Sequence, residues 1–282
     1  MTVPPAAGRA RGRAARVLDY LWNGWGAAAS LLLVVALWEL GHGIYGTLVL
    51  PAPRETFAAL WRMTLDGRVP PAVLDTGRNA LGGFVLTVAV GGGLGALAGA
   101  SDMMRRLLQP VTTLMLGIPA IAWVVLSLLW FGGSGAAATF TVVVATAPVV
   151  FSGAAQGVRT LDGALKRMAE AFRVPWRVRV WDVYLPHMLS YLFPALASAL
   201  ALSWKVAVMA ELLSGAGGIG DGLATARVQV DTVKAMAWIL VVVILLLCVE
   251  YLLLEPVRRH VQTWRRELPG ATASGGGAGR GA

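Results

Sequence analysis

The 282-residue sequence has one cysteine and three histidines, and both shortages limit its chemistry. Cys248 lies inside an apolar run, with no second cysteine for an intrachain disulfide or a sulfur-based metal cluster. His42, His187 and His260 fall at or beyond the ends of the apolar stretches, which argues against a buried histidine relay. No HExxH, Walker A or CxxC pattern occurs, so the sequence offers no zinc protease site and no nucleotide-hydrolysing loop of its own. No metal site and no cofactor bound by this chain are expected. Charge is scarce as well: 14% of residues are charged, against about 25% in a typical soluble domain.

What the chain has in quantity is hydrocarbon. It is 57% hydrophobic, with a mean hydropathy of +0.67, which places it in the membrane class. A helix needs about 20 apolar residues to cross the hydrocarbon core. Six runs qualify, at residues 26–46, 80–100, 107–131, 136–155, 188–213 and 235–257. The expected fold is an all-α membrane protein with six transmembrane helices. Between the spans lie an outer loop with short helices at 47–79, a cytoplasmic loop at 156–187 and an outer loop at 214–234. Residues 1–25 and 258–282 read as cytoplasmic tails, the first disordered throughout and the second from 268. An Arg-rich start before an apolar run also fits a signal peptide, but the run is long and lacks a small-residue cleavage site, so a retained helix is expected.

The basic residues orient the spans. Seventeen fall on the side of the N-terminus and five on the other, so both ends are expected in the cytoplasm. This asymmetry accounts for most of the net charge of +9 without nucleic acid. The second span carries Gly91, Gly95 and Gly99 at four-residue spacing, a flat face for close helix packing or for sliding in a transport cycle. Pro119 and Pro148 each remove a backbone hydrogen bond and can kink the third and fourth spans. An ionisable residue inside a span must face protein or water. Lys205 and Glu211, both in the fifth span, are candidates for a translocation pathway. Six residues apart, they are poorly placed to pair with each other. For Lys205 two readings stand: a structural or snorkelling cation, and a positive group lining an anion pathway. The tetrapeptide Gly132-Gly133-Ser134-Gly135 matches the G-x-S-G of intramembrane serine proteases, but no later span offers a histidine to activate Ser134.

The loop at 156–187 is amphipathic. Leu161, Leu165, Met168 and Phe172 recur at a helical period, Pro175 breaks the chain, and Trp176 to Tyr184 continue as a short helix or strand. Such a segment suits a membrane surface or a groove on a soluble partner.

Taken together, the segments resemble the permease subunit of a binding-protein-dependent ABC importer of the nitrate/sulfonate/taurine type. The resemblance runs over about residues 48–266, with a permease domain at 72–258. It is carried by "LVLPAPRETFAALW", the glycine-rich second span, "RRLLQPVTTLMLGIPAIAWVVLSLLWFG", the cytoplasmic loop and "WKVAVMAELLSGAGGIGDGL". The family's Glu-Ala-Ala loop motif is matched by Glu170 and Ala171, with Phe172 in place of the second alanine and Trp176 where the motif has glycine. The resemblance implies a type I importer fold, with coupling helices between spans four and five. Glu170, Ala171, Phe172, Arg173, Pro175, Trp176 and Arg177 would then meet an ATP-hydrolysing subunit. It further implies two ATP-binding ABC subunits as partners, a soluble substrate-binding protein, a second permease copy as a homodimer, and membrane lipid. ATP would be bound by the partner, in the inner membrane of a bacterium, and the cargo would be a small anion such as nitrate, a sulfonate or taurine. Two other classes fit the composition, an ion-gradient-driven secondary transporter and a non-transporting scaffold. The first is expected to show inverted repeats and mid-membrane carboxylates, and neither is evident in this sequence.

Overall fold

The computed structural model describes residues 13–160, 171, 172, 175, 178 and 185–254. Among the described residues all regular structure is helical. The helices are α1 (Arg13–Tyr45), α2 (Pro53–Leu65), α3 (Val69–Ala100), α4 (Asp102–Gly117), α5 (Ala120–Phe131), α6 (Gly135–Arg159), α7 (Leu185–Ser214), α8 (Gly218–Val228) and α9 (Thr232–Cys248). Four of them, α3, α6, α7 and α9, are long and apolar enough to cross a membrane. A fifth span results if α4 and α5 count as one broken element.

Helices α3, α4, α5 and α7 pack around α6. Half of its apolar window is buried inside the protein, against 22–28% for the other three long spans. Small residues make this possible. Gly91, Gly95 and Gly99 of α3 all face α6: a Cβ on Gly91 would lie 2.7 Å from the Ala147 carbonyl oxygen, and one on Gly99 2.6 Å from the Val158 Cβ. At Gly95 it would collide with the Phe151 carbonyl and lie 2.8 Å from the Ala154 Cβ. Gly83 extends the same seam against Val142. On its other side α6 presents Gly153 to Ala195 and Gly157 to Met188 of α7.

A repeat of four overshoots the 3.6-residue helical turn by about 40° per step. A strict four-residue stripe would therefore rotate off its partner. Between Val88 and Gly92 α3 adopts wider, π-helical turns, which absorb the excess and keep Gly83, Gly91 and Gly99 on one face. Hydroxyl pairs mark the same contacts. Thr87 Oγ1 lies 2.8 Å from Thr146 Oγ1 between α3 and α6, and Thr141 donates to Ser127 at 2.9 Å between α6 and α5.

Several boundaries differ from expectation. Helix α1 already includes Arg13, the first described residue, inside the segment expected as a disordered tail; no proline separates it from the apolar run. Pro70 and Pro71 sit at the start of α3, where a missing backbone N–H costs nothing, so this helix begins well before residue 80. At 32 residues it is roughly 48 Å long and exceeds the hydrocarbon thickness. The stretch 107–131 is bent by 98° rather than continuous. Ile118 is extended, as the residue before a proline prefers, and Pro119 starts the new helix; Pro110 stays within α4.

Candidate functional site

The end of the bundle that carries α2 and α8 is called the upper end. There the chain leaving α7 turns back through two left-handed glycines, Gly217 (φ 84°) and Gly218 (φ 85°), into α8. Glu211, one turn before the end of α7, is fully buried at this turn. Its carboxyl group accepts a bond from the Thr76 hydroxyl at 2.7 Å, one from the Asn79 amide at 2.9 Å and one from the Gly220 N–H at 3.3 Å. The Thr76 oxygen in turn accepts from the Ile219 N–H at 2.9 Å. One side chain thus ties α3, α7 and α8 together. The glycines are required: a Cβ on Gly218 would overlap the Glu211 carboxylate, and one on Gly220 would strike the Val208 carbonyl.

Lys205 is exposed and lies elsewhere on the same helix. The buried face of α7 carries Ala199, Ser203, Ala207, Ala210 and Glu211; Ser198, Leu202, Lys205 and Leu213 line the free face. Lys205 sits roughly 14 Å along the helix from Ser214. It makes no hydrogen bond or ion pair with any described residue. The structure therefore separates the two candidates: Glu211 is a buried joint, and Lys205 is a lone cation on an otherwise mostly apolar surface. Thr76 and Asn79 were not singled out from the sequence. Their three-residue spacing puts both on one face of α3, the available signal that they act together.

Of the expected ATPase-facing residues, Ala171, Phe172 and Pro175 are described, and all three are exposed, Phe172 at 77%. Glu170, Arg173, Trp176 and Arg177 lie outside the described residues. Among the described residues no group of three or more metal-binding side chains occurs. At the upper end Asp231 caps α9, accepting from the Lys234 N–H at 2.9 Å, and pairs with the Lys234 ammonium at 2.8 Å. The Lys234 side chain, above all, holds the Asp231 carboxyl below the usual carboxylate range.

The sequence profile described as "Binding-protein-dependent transport system inner membrane component" matches residues 91–257, more than half of the chain. An aliphatic sulfonates transport permease protein, SsuC of Escherichia coli K12, is 28% identical over 204 residues, covering 71% of this chain and 78% of the relative. The nitrate import permease protein NrtB of Synechococcus elongatus is 24% identical over 201 residues, covering 67% and 72%. The taurine transport system permease protein TauC of Escherichia coli K12 is 28% identical over 176 residues, covering 62% and 63%.

Proposed function

The chain belongs to the family of binding-protein-dependent transport system inner membrane components, and from that premise we propose that it is the permease subunit of an ATP-driven importer of a small anion. It crosses the membrane six times, with α1 as the first span and the α4–α5 pair as the third. The basic residues favour both termini in the cytoplasm and the upper end outside. Two copies enclose the pathway. Two separate ATPase subunits hydrolyse ATP, and a soluble protein delivers the cargo to the upper end. Sulfonates, nitrate and taurine, the cargoes in the relatives' names, are all small molecules bearing an anionic group.

The loop from 156 to 187 is the ATPase handle. Its support is the exposed aromatic ring of Phe172 beside the exposed Pro175, an apolar anchor with basic residues around it in the sequence. Ala171→Asp would put a charge at that anchor. The complex should then lose its ATPase on co-purification while the spans keep their thermal stability. A mutant that retains the ATPase and transports normally would remove the handle assignment.

The observation that carries the anion reading is Lys205. A lysine facing lipid at this depth costs several kcal/mol, on the order of 2.5–3.5 by insertion scales. A water-filled pathway or the polar side of a second copy removes that cost, and a passing anion finds a fixed positive charge. Lys205→Met should lower uptake about tenfold or more at subsaturating cargo in proteoliposomes, with ATPase binding intact. Unchanged uptake takes Lys205 out of the pathway.

A further inference from the structure

The upper end also holds a small cavity. It has a volume of about 150 Å³, between the α2–α3 turn, α8 and the first two turns of α9. Arg68, Gly222, Thr225, Gln229, Lys234 and Trp238 line it, and no acidic residue does. Five of its eight lining residues carry N–H or O–H donors on their side chains, and Met63, Gly222 and Ala226 supply the apolar rest. Lys234 is paired with Asp231. The side chains of Arg68, Thr225, Gln229 and Trp238 have no hydrogen-bond or ion-pair partner among the described residues.

Trp238 carries the argument. The residue is only 6% exposed, and its indole N–H has no acceptor among the described residues. Trp123 and Trp204 also hold indole N–H groups without an acceptor, but those are sealed from solvent; that of Trp238 is not. Its nitrogen edge lies against Gly222, which shares the cavity wall: a Cβ there would overlap the ring and come within 2.8 Å of Nε1. The glycine lets the indole edge pack close against α8.

Two helix ends frame the cavity in the same way. After α2, the Gly67 N–H bonds to the Thr64 carbonyl at 3.1 Å and the Arg68 N–H to the Met63 carbonyl at 3.0 Å. After α8, the Val230 N–H bonds to Arg227 at 3.1 Å and the Asp231 N–H to Ala226 at 3.0 Å. Both are Schellman turns, with Gly67 (φ 72°) and Val230 (φ 54°) at the left-handed position. Glycine takes that conformation freely. For other residues it costs about 1–2 kcal/mol, and valine, β-branched, suits it poorly. The second turn holds Gln229 at the cavity and Asp231 against Lys234.

We propose that this cavity binds an oxyanion, a sulfate, sulfonate or carboxylate group. Arg68 supplies the unpaired charge, Lys234 a donor already shared with Asp231, and the Trp238 N–H a directed bond. At about 30 Å³ per liquid water molecule, the space takes one small oxyanion and ordered water. An oxyanion presents several acceptor oxygens to the donors in this wall. Two sources carry this chemistry to the upper face: a dissolved anion, and a carboxylate side chain of a soluble protein docked there. Only the second rests on the importer reading.

The test uses the full chain in phosphatidylcholine nanodiscs and equilibrium binding of radiolabelled sulfate at fixed low ionic strength. Saturable binding is expected, weakened about tenfold or more by Arg68→Gln and by Trp238→Phe. Arg78→Gln, which removes an exposed cation at the same end, serves as the control for general charge and leaves binding unchanged. Thermal stability of each variant separates lost binding from lost folding. If the wild type takes up no sulfate, the same variants are assayed for docking of the substrate-delivering protein. Docking weakened about tenfold by Arg68→Gln and Trp238→Phe, but not by Arg78→Gln, identifies a protein carboxylate as the oxyanion. Sulfate binding that survives both substitutions overturns the proposal, as does absent sulfate binding with docking unaffected. The sulfate measurement stands whether or not the chain is an importer subunit.

Discussion

Helix α3 is held at two places by opposite means. Along its length it meets α6 through Gly83, Gly91, Gly95 and Gly99, where the only side-chain hydrogen bond among the described residues is the Thr87–Thr146 pair. At its upper end it meets α7 and α8 through Thr76 and Asn79, which converge on one carboxyl group. The seam works by shape, because in lipid there is no hydrophobic drive between helices and close contact is what remains. The joint works by saturating buried polar atoms, and it fails if one partner leaves. A seam lets its helices tilt or slide by small amounts; a joint of this kind is made or broken.

The largest effect is expected from breaking the joint. Glu211→Ala orphans the Thr76 hydroxyl, the Asn79 amide and the Gly220 N–H, each worth about 1–3 kcal/mol when buried without a partner. A total loss of about 3–5 kcal/mol should appear as a much lower Tm of the purified protein. Glu211→Gln, which keeps the volume and one acceptor oxygen, should lose less. Breaking the seam comes next. Gly95→Leu drives a side chain into the Phe151 carbonyl and should cost about 1–3 kcal/mol, the usual range for overpacking. A neutral Gly95→Leu would mean that α3 and α6 are looser than the contact distances imply. The smallest effect belongs to the seam's hydroxyl pair. Thr87→Val keeps the shape and should cost about 0.6 kcal/mol, the average for interhelical hydrogen bonds in membranes. A loss as large as that of Glu211→Ala would show that the seam too depends on polar bonds.

The glycine face of α3 was legible in the sequence because four-residue spacing is local information, and so were the long apolar helices α6 and α7. The joint was only half legible. Glu211 stood out as a charge in an apolar run, and it was expected near a pathway; its partners lie 135 and 132 residues away in the chain. No periodicity links such distant positions. Lys205 and Glu211 looked alike on one helix, and only packing assigned one to the free face and the other to the interior. The early start of α3 reflects a local cue read too weakly, since prolines in the first turn favour a helix start and do not oppose it. The 98° break was visible as Ile118-Pro119, but its angle was not, because a proline marks where a helix can break and not how far it bends.

By itself the sequence determined that this chain lives in a membrane, that it is helical, which end of each span is more basic and which residues are small enough to let helices touch. Those properties follow from composition and from neighbours within a turn or two. The tertiary structure alone decided that Glu211 closes a three-helix joint, that Lys205 is left uncovered, and that Arg68 meets Lys234 and Trp238 of α9 at one cavity. Each of these depends on bringing distant segments within hydrogen-bond range, and in lipid that is settled by how closely the helices can pack.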